Sequence, residues 1–359
     1  MEYKPLSDVI TLQRGFDLPT SKREKGNVPV IGATGIVGWH NDAKLKGPVV
    51  TIGRSGVVGG SQWFQEEAWP LNTTMFVKDF KGNNPKFVYY ALKTIDFTSY
   101  DSGSAQPSLN RNYISGLPFP CPSREEQNRI AHILGSLDDK IEANKKIARI
   151  SLSLALSLYS SHESENSNQY QLNDLFADFI GGDWGKERAE GGLCPVYAIR
   201  GSDIPSLQLG GCGILPLRFI KKNSLERRSL SVGDVVVEGS GGSPTQCTGR
   251  PVLITKELLD TYPHPLVATN FCKIIKPLSA DDGVSIYLSI LTAWQQGDLW
   301  QYETGTTGIK NLNFSLFASQ KKILLQNDLN GIIQSISRFG KENIYLSEVK
   351  NKLIRRLIG

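Results

Sequence analysis

Gly53-Arg54-Ser55-Gly56 places a guanidinium in a glycine-flanked loop, where backbone and a cation can both come close to a chain of phosphates. Lys22, Arg23 and Lys25 form a basic loop nearby in sequence. Gln62, Asn72, Thr73, Thr74, Ser104, Gln106, Ser108, Asn110 and Arg111 add amide, hydroxyl and guanidinium ends. Phosphates are held by cations, while base edges are read by side chains with paired donors and acceptors, so this mixture has the chemistry of a nucleic-acid reader. The second half of the chain carries a comparable set: Trp184 and Lys186 within Gly181-Gly182-Asp183-Trp184-Gly185-Lys186, then Ser240, Ser243, Thr245, Gln246, Asn270, Thr306, Thr307, Lys310 and Asn311. Many of these types also suit turns for backbone reasons alone. The six tryptophans fit core packing, with Trp184, in its polar glycine loop, the best candidate to stack on a base.

Catalytic chemistry finds less support. Gly32-Ala-Thr-Gly35-Ile-Val-Gly38 departs from the GxGxxG spacing of dinucleotide loops, and no helix pattern opens after it. There is no GxxxxGK[ST] phosphate loop and no Asn-Pro-Pro-Tyr methylase motif, and Glu238 precedes Gly-Ser rather than the lysine of a metal-dependent nuclease. His40, His132, His162 and His264 are dispersed, and Cys121, Cys194, Cys212, Cys247 and Cys272 form no CxxC pair. No catalytic residue, metal or cofactor is expected in this chain.

Composition sets the frame. At 359 residues with 40% apolar content, the chain suits two domains plus connectors. A net charge of +5 leans mildly toward a polyanionic partner. The N-terminal residues lack a signal-peptide pattern, no apolar run reaches ~18 residues, and the scattered cysteines fit a reducing cytoplasm, so a cytoplasmic location without membrane insertion is expected.

The elements that must position the polar residues are written twice. Leu6-Ser-Asp8-Val9 returns as Leu172-Asn-Asp174-Leu175, Pro29-Val30 as Pro195-Val196, Gly47–Gly53 as Gly233–Gly239, Val88–Leu92 as Ile286–Ile290, and Leu109-Asn110 as Leu312-Asn313. The offset between matches only grows, as it does when the second copy of a duplicated domain gains loop insertions. Each copy reads as short β-branched strands punctuated by glycine, with one helix near Pro85–Thr94 and Asp282–Gln295. The fold class is α+β: two duplicated mixed α/β domains, 1–120 and 166–322, separated by helical regions 121–165 and 323–359.

Ser123 followed by Glu126 offers a capping box for the first long helix. Its apolar seam reads Ile130, Leu134, Leu137, Ile141, Asn144, Ile147, Ile150, Leu154 and Leu158. At a constant offset of 199 the second helix repeats this as Leu329, Ile333, Ile336, Gly340, Asn343, Leu346, Val349, Leu353 and Leu357. Only Gly340 against Ile141 departs in character. Each seam carries one asparagine, which costs stability but fixes register and partner, so the two helices are expected to pair as an antiparallel coiled coil. Both seams step by three twice after the asparagine, a shared local change of winding. A seam of about 28 residues would set a spacing near ~40 Å, close to the ~34–36 Å of one B-DNA turn.

The run Gly116-Leu-Pro118-Phe-Pro120-Cys-Pro122-Ser-Arg-Glu125-Glu126-Gln127-Asn-Arg129-Ile130, leading into Leu134-Gly-Ser-Leu137-Asp138-Asp139-Lys140-Ile141-Glu142-Ala-Asn144, resembles the specificity subunits of type I restriction–modification systems. So do Ile52-Gly53-Arg54-Ser55-Gly56, Gly103-Ser104-Ala105-Gln106-Pro107 and Gly305-Thr306-Thr307-Gly308-Ile309-Lys310-Asn311-Leu312. The resemblance implies two target-recognition domains, each reading one half of a split, asymmetric sequence in double-stranded DNA. It further implies helices that space them and dock two modification subunits. S-adenosylmethionine-dependent methylation of adenine N6 would lie in those subunits, and ATP- and Mg-dependent translocation and cutting in separate restriction subunits. A related fused restriction–methylation (type IIB-like) system and a scaffold that binds no DNA are the alternatives. The two glycine loops differ in composition, so unlike half-sites are expected. The second junction, Leu316–Asp328, lacks the proline-rich sequence and the Glu-Gln pair of the first, and little sequence follows the second helix, which puts in doubt whether both sides grip partners equally.

Overall fold

The computed structural model describes residues 2–100, 107–163, 169–241, 245–305 and 308–359. Two compact units emerge: Met1–Lys140 with Ser347–Gly359, and Ile141–Leu346.

In the first unit, strands Thr11–Arg14, Thr74–Asp79, Val49–Gly53 and Gly59–Phe64 form a four-stranded antiparallel sheet in that spatial order. A three-stranded sheet sets Val28–Gly32 between Gly35–His40, antiparallel, and Trp69–Pro70, parallel. The second unit repeats both. Phe176–Gly181, Cys272–Pro277, Val235–Glu238 and Pro251–Leu253 form the four-stranded sheet, and Leu193–Ile199 lies between Leu217–Lys221, antiparallel, and Leu266–Ala268, parallel. Each copy is closed by a two-stranded ribbon, Tyr3–Pro5 with Pro118–Pro120 and Tyr170–Gln171 with Lys322–Ile323. The strand centres are β-branched and buried on both faces, as in Val49–Ile52 and Val235–Val237, which explains their continuous apolar runs.

One helix per copy covers the four-stranded sheet: Pro85–Leu92 and Asp282–Gln296. Asn84 caps the first, accepting from the backbone N–H groups of Lys86 and Phe87, with Pro85 at the first helical position, where its missing N–H costs nothing. Gly297 ends the second in the left-handed conformation, φ +80°. The loop Gly32–Gly35 is a hairpin turn between two strands, so no helix N-terminus stands there to cradle a phosphate.

The first long helix spans Arg124–Glu163 and the closing helix Asn330–Leu357. Ser123 Oγ accepts from Glu126 N–H (3.3 Å), while the Glu126 carboxylate turns to Arg129 instead of reaching back to complete the box. Within the first unit, Ile130 and Leu134 share one core with Ile354 and Ile358, and Lys350 pairs with Asp138. Within the second, Ala155 and Tyr159 pack with Leu329 and Ile333, and Asn144 Nδ2 donates to Asn343 Oδ1 (3.0 Å) and Glu342 Oε2 (2.8 Å). In both units the two helices run in opposite directions, and the two asparagines meet.

Beyond Asn144 the seam departs from the expected one. Ile147, Ile150 and Leu154 are 41%, 57% and 49% exposed, whereas Ala148 and Ala155 are at 1% and 0% and Tyr159 is buried. On the closing helix, Leu346, Val349, Leu353 and Leu357 are half-buried, and Ile354 and Ile358 take the central places. The expected double step of three is therefore absent. Both helices keep the alternation of three and four that holds one face toward a partner, with small residues where the backbones approach.

Gly340, the single departure between the two seams, has a steric cause. A Cβ there would stand 1.7 Å from the carbonyl oxygen of Gly210, on a loop of the second domain that lies against the helix. Ile141 at the corresponding place of the first helix is buried in ordinary fashion.

Candidate nucleic-acid interface

Backbone hydrogen bonds align the two copies residue by residue. In the first, the N–H groups of Arg54 and Ser55 both donate to the Thr73 carbonyl, and Leu109 N–H donates to the Arg54 carbonyl. In the second, Gly239 and Ser240 both donate to Phe271, and Leu312 donates to Gly239. Gly15 N–H to Thr74 matches Gly182 N–H to Cys272, and Phe16 N–H to Pro70 matches Asp183 N–H to Ala268. Arg54 thus corresponds to Gly239, one residue away from the pairing that the glycines alone indicate. The conserved Leu-Asn step is a buried leucine followed by a helix cap: Asn110 accepts from Asn112 N–H, and Asn313 from Leu316 N–H.

In the first unit this frame shapes an open cleft of about 670 Å³ lined by Gln13, Arg14, Gly15, Phe16, Asp17, Arg54, Met75, Ser108, Leu109, Asn110 and Arg111. Four residues expected from sequence, Arg54, Ser108, Asn110 and Arg111, are brought together there. Arg14 and Gln13 join them. They gave no signal in sequence because they are a short polar pair at the end of a four-residue strand. Arg54 Nη1 donates to the Asn72 carbonyl (3.3 Å), and Asn72 Nδ2 donates to Asp17, which steadies the rim. Arg14, Arg54 and Arg111 have no carboxylate within ion-pair distance among the described residues. Three unneutralised guanidinium groups lining one concave surface repel one another unless an anion is supplied.

Other expected readers of the first unit are committed elsewhere. Thr74 is fully buried and its hydroxyl donates to the Leu71 carbonyl, so it cannot meet a ligand. Gln62 spends its amide on the carbonyls of Gly32 and Ala33, fixing the hairpin turn. Arg23 donates to the Val37 carbonyl, leaving Lys22 and Lys25 as the exposed cations of that loop, and Thr73 and Ser55 are half-buried at the cleft rim. Ser104 and Gln106 lie outside the described residues.

The second unit presents a different surface on the same frame. Arg14, Asp17, Arg54, Met75 and Arg111 become Gly181, Trp184, Gly239, Lys273 and Phe314. One face of the half-buried Trp184 ring is covered by the Arg218 guanidinium at 3.9 Å, which leaves at most its other face for a base. Ser240 Oγ donates to Asn311 Oδ1 (2.6 Å) across a small sheet of Ser240–Gly241, Lys310–Leu312 and Glu303–Thr304. Lys310 pairs with Glu303 (2.8 Å) and lies over Trp300. Burial works to push the Glu303 carboxyl up, but hydrogen bonds from Lys310 and Thr248 outweigh it and hold it below its ordinary value. Lys186 pairs with Glu190, and Gln246 accepts from Arg250 (2.5 Å). Asn270 and Thr245 are exposed, and Ser243, Thr306 and Thr307 lie outside the described residues. Among the described residues no cluster of His, Cys, Asp or Glu could hold a metal ion, and no helix is long and apolar enough to cross a membrane.

The junction glutamine has a structural role. Gln127 is 2% exposed, accepts from Asn84 N–H (2.8 Å) and donates to Asn83 Oδ1 and the Pro122 carbonyl, locking the domain helix to the long helix. The second junction keeps this residue as Gln326, at the offset of the helices, where it is buried and donates to the Tyr159 carbonyl. The proline-rich sequence and the glutamate are missing there; the glutamine is not.

The first copy of this duplicated α+β domain thus presents unpaired guanidinium groups and amides around one open cleft. Residues 1–151 match the type I restriction modification DNA specificity domain. That segment is under half of the chain, and through it the chain is similar to type I restriction–modification specificity subunits. It is 26% identical over 158 residues to the EcoprrI specificity subunit of Escherichia coli and 30% identical over 132 residues to the MjaIX specificity subunit of Methanocaldococcus jannaschii. These matches span 42% and 34% of this chain, but only 39% and 30% of those relatives. The whole chain has the fold of a type I restriction-modification S subunit from M. genitalium, with a TM-score of 0.56 and 16% identity over 100% of this chain and 96% of that one.

Proposed function

We propose that this chain reads duplex DNA in two unlike parts, one for each domain copy, and confers sequence specificity on a type I restriction–modification complex. The observation that carries this reading is the cleft of Arg14, Arg54 and Arg111, three cations without carboxylate partners among the described residues, within the segment that matches a DNA specificity domain. Guanidinium forks suit phosphate oxygens and the O6/N7 edge of guanine. No catalytic step is assigned to this chain. Modification subunits docked on it would methylate adenine N6 with S-adenosylmethionine, and restriction subunits would supply ATP- and Mg-dependent cutting. The paired helices would hold the two readers at a set distance.

Binding of chain plus modification subunit to duplex DNA, followed by gel shift over a range of salt, tests the reading. Each lost phosphate contact makes the dependence of log affinity on log salt shallower by about 0.9. Replacing Arg14, Arg54 and Arg111 together by alanine is expected to flatten that slope by up to ~2.7. A wild-type complex whose DNA affinity ignores salt would favour the scaffold alternative and overturn the proposal.

A further inference from the structure

Phe271 stands where the first copy has Thr73, and the residue is 51% exposed. Its backbone is pinned: the Phe271 carbonyl accepts from both Gly239 (2.8 Å) and Ser240 (3.0 Å), so the ring is presented from a fixed point and not from a free loop. Two arginine side chains of the first copy are absent from the second. Gly181 and Gly239 occupy the places of Arg14 and Arg54, and Lys273 lies across both, its Cγ 3.4 Å from a Cβ built on Gly239 and its Nζ 3.8 Å from one built on Gly181. Lys273 replaces the buried Met75 of the first copy and has no carboxylate partner among the described residues. An exposed aromatic residue next to glycines overlain by one unpaired lysine side chain suits close approach to a base pair, with the lysine on the neighbouring phosphate.

We propose that Phe271 is a specificity-determining residue of the second reader, making an apolar contact with a base while Lys273 takes a phosphate. The second half-site is then read mainly by apolar contact and shape, and the first mainly by guanidinium groups. The apolar partner is either a thymine methyl at the major-groove edge or the face of an unstacked base. This rests on the DNA-reading role proposed above.

The test is methylation mapping of a host chromosome carrying the full chain and its modification and restriction partners, for wild type, Phe271→Ala, Phe271→Leu and Phe271→Tyr. Phe271→Ala is expected to leave one part of the motif intact and to relax the other at one or two positions, with methylation of the original sites falling at least about tenfold, the scale of one lost base contact. Leucine retains a methyl contact but not a stacking face, and tyrosine retains both. Function restored by leucine and tyrosine identifies a thymine methyl; function restored by tyrosine alone identifies a base face. An unchanged motif and rate in Phe271→Ala overturns this inference. Absence of any split motif in the wild type overturns the DNA-reading role itself. Melting of each purified variant guards against misfolding, and if the alanine protein fails to fold, Phe271→Ser takes its place: an unchanged motif and rate in Phe271→Ser overturns the inference as well.

Discussion

The two domain copies share a backbone and differ in what they show to solvent. Hydrogen bonds from Arg54, Ser55 and Leu109 recur at Gly239, Ser240 and Leu312, and the strand order of both principal sheets is the same. Yet three arginines of the first cleft become Gly181, Gly239 and Phe314 in the second. A buried ladder tolerates few changes, because each unpaired N–H or carbonyl costs about 1–3 kcal/mol. A side chain pointing to water is free to vary. Such a division lets one scaffold be duplicated while its two surfaces diverge.

The comparison can be broken most forcefully at the helices. Gly340→Ile, which gives the second copy the residue of the first, forces a Cβ into the Gly210 carbonyl and is expected to cost at least ~3 kcal/mol in urea unfolding. Little change would mean that the Gly210 loop does not rest on that helix. Next come the two faces of the first long helix. Ala148→Asp buries an uncompensated charge and should cost ~3 kcal/mol or more, while Ile147→Asp, on the exposed face, should stay within ~0.5 kcal/mol. The reverse order would restore the seam expected from apolar residues alone. Asn144→Ala removes two hydrogen bonds at a fully buried place on the helix and should cost about 1–3 kcal/mol. The caps sharpen the likeness of the frames: Asn110→Ala and Asn313→Ala should each cost ~1 kcal/mol. Smallest of all, Arg54→Ala should shift stability by no more than ~0.5 kcal/mol while flattening the salt dependence of DNA binding by about 0.9, which separates frame from reader.

Much of this was legible in sequence. Growing offsets between matched segments exposed the duplication, and the seam up to Asn144 and Asn343 foretold helices that pair through their asparagines. The seam beyond was misread for a physical reason: Ile147, Ile150 and Leu154 carry a strong apolar signal but face outward, while Ala148 and Ala155, which do the packing, carry a weak one. Gln326 was overlooked because its proline-rich surroundings are gone, although its buried hydrogen bonding persists. Arg14 and Lys273 were invisible because only the folded sheet brings strand ends to the Arg54 loop and its counterpart. The polar residues of the second unit looked available, but Ser240 with Asn311 and Lys310 with Glu303 satisfy each other.

Single-molecule methylation sequencing of a host that expresses this chain with the modification subunits proposed for it bears most directly on the proposal that one duplicated frame carries two unlike readers. The expected result is one adenine-methylated motif made of two short specified parts, different from each other and separated by a fixed unspecified gap. A motif without a gap, a palindrome of identical halves, or no methylated motif at all would contradict it.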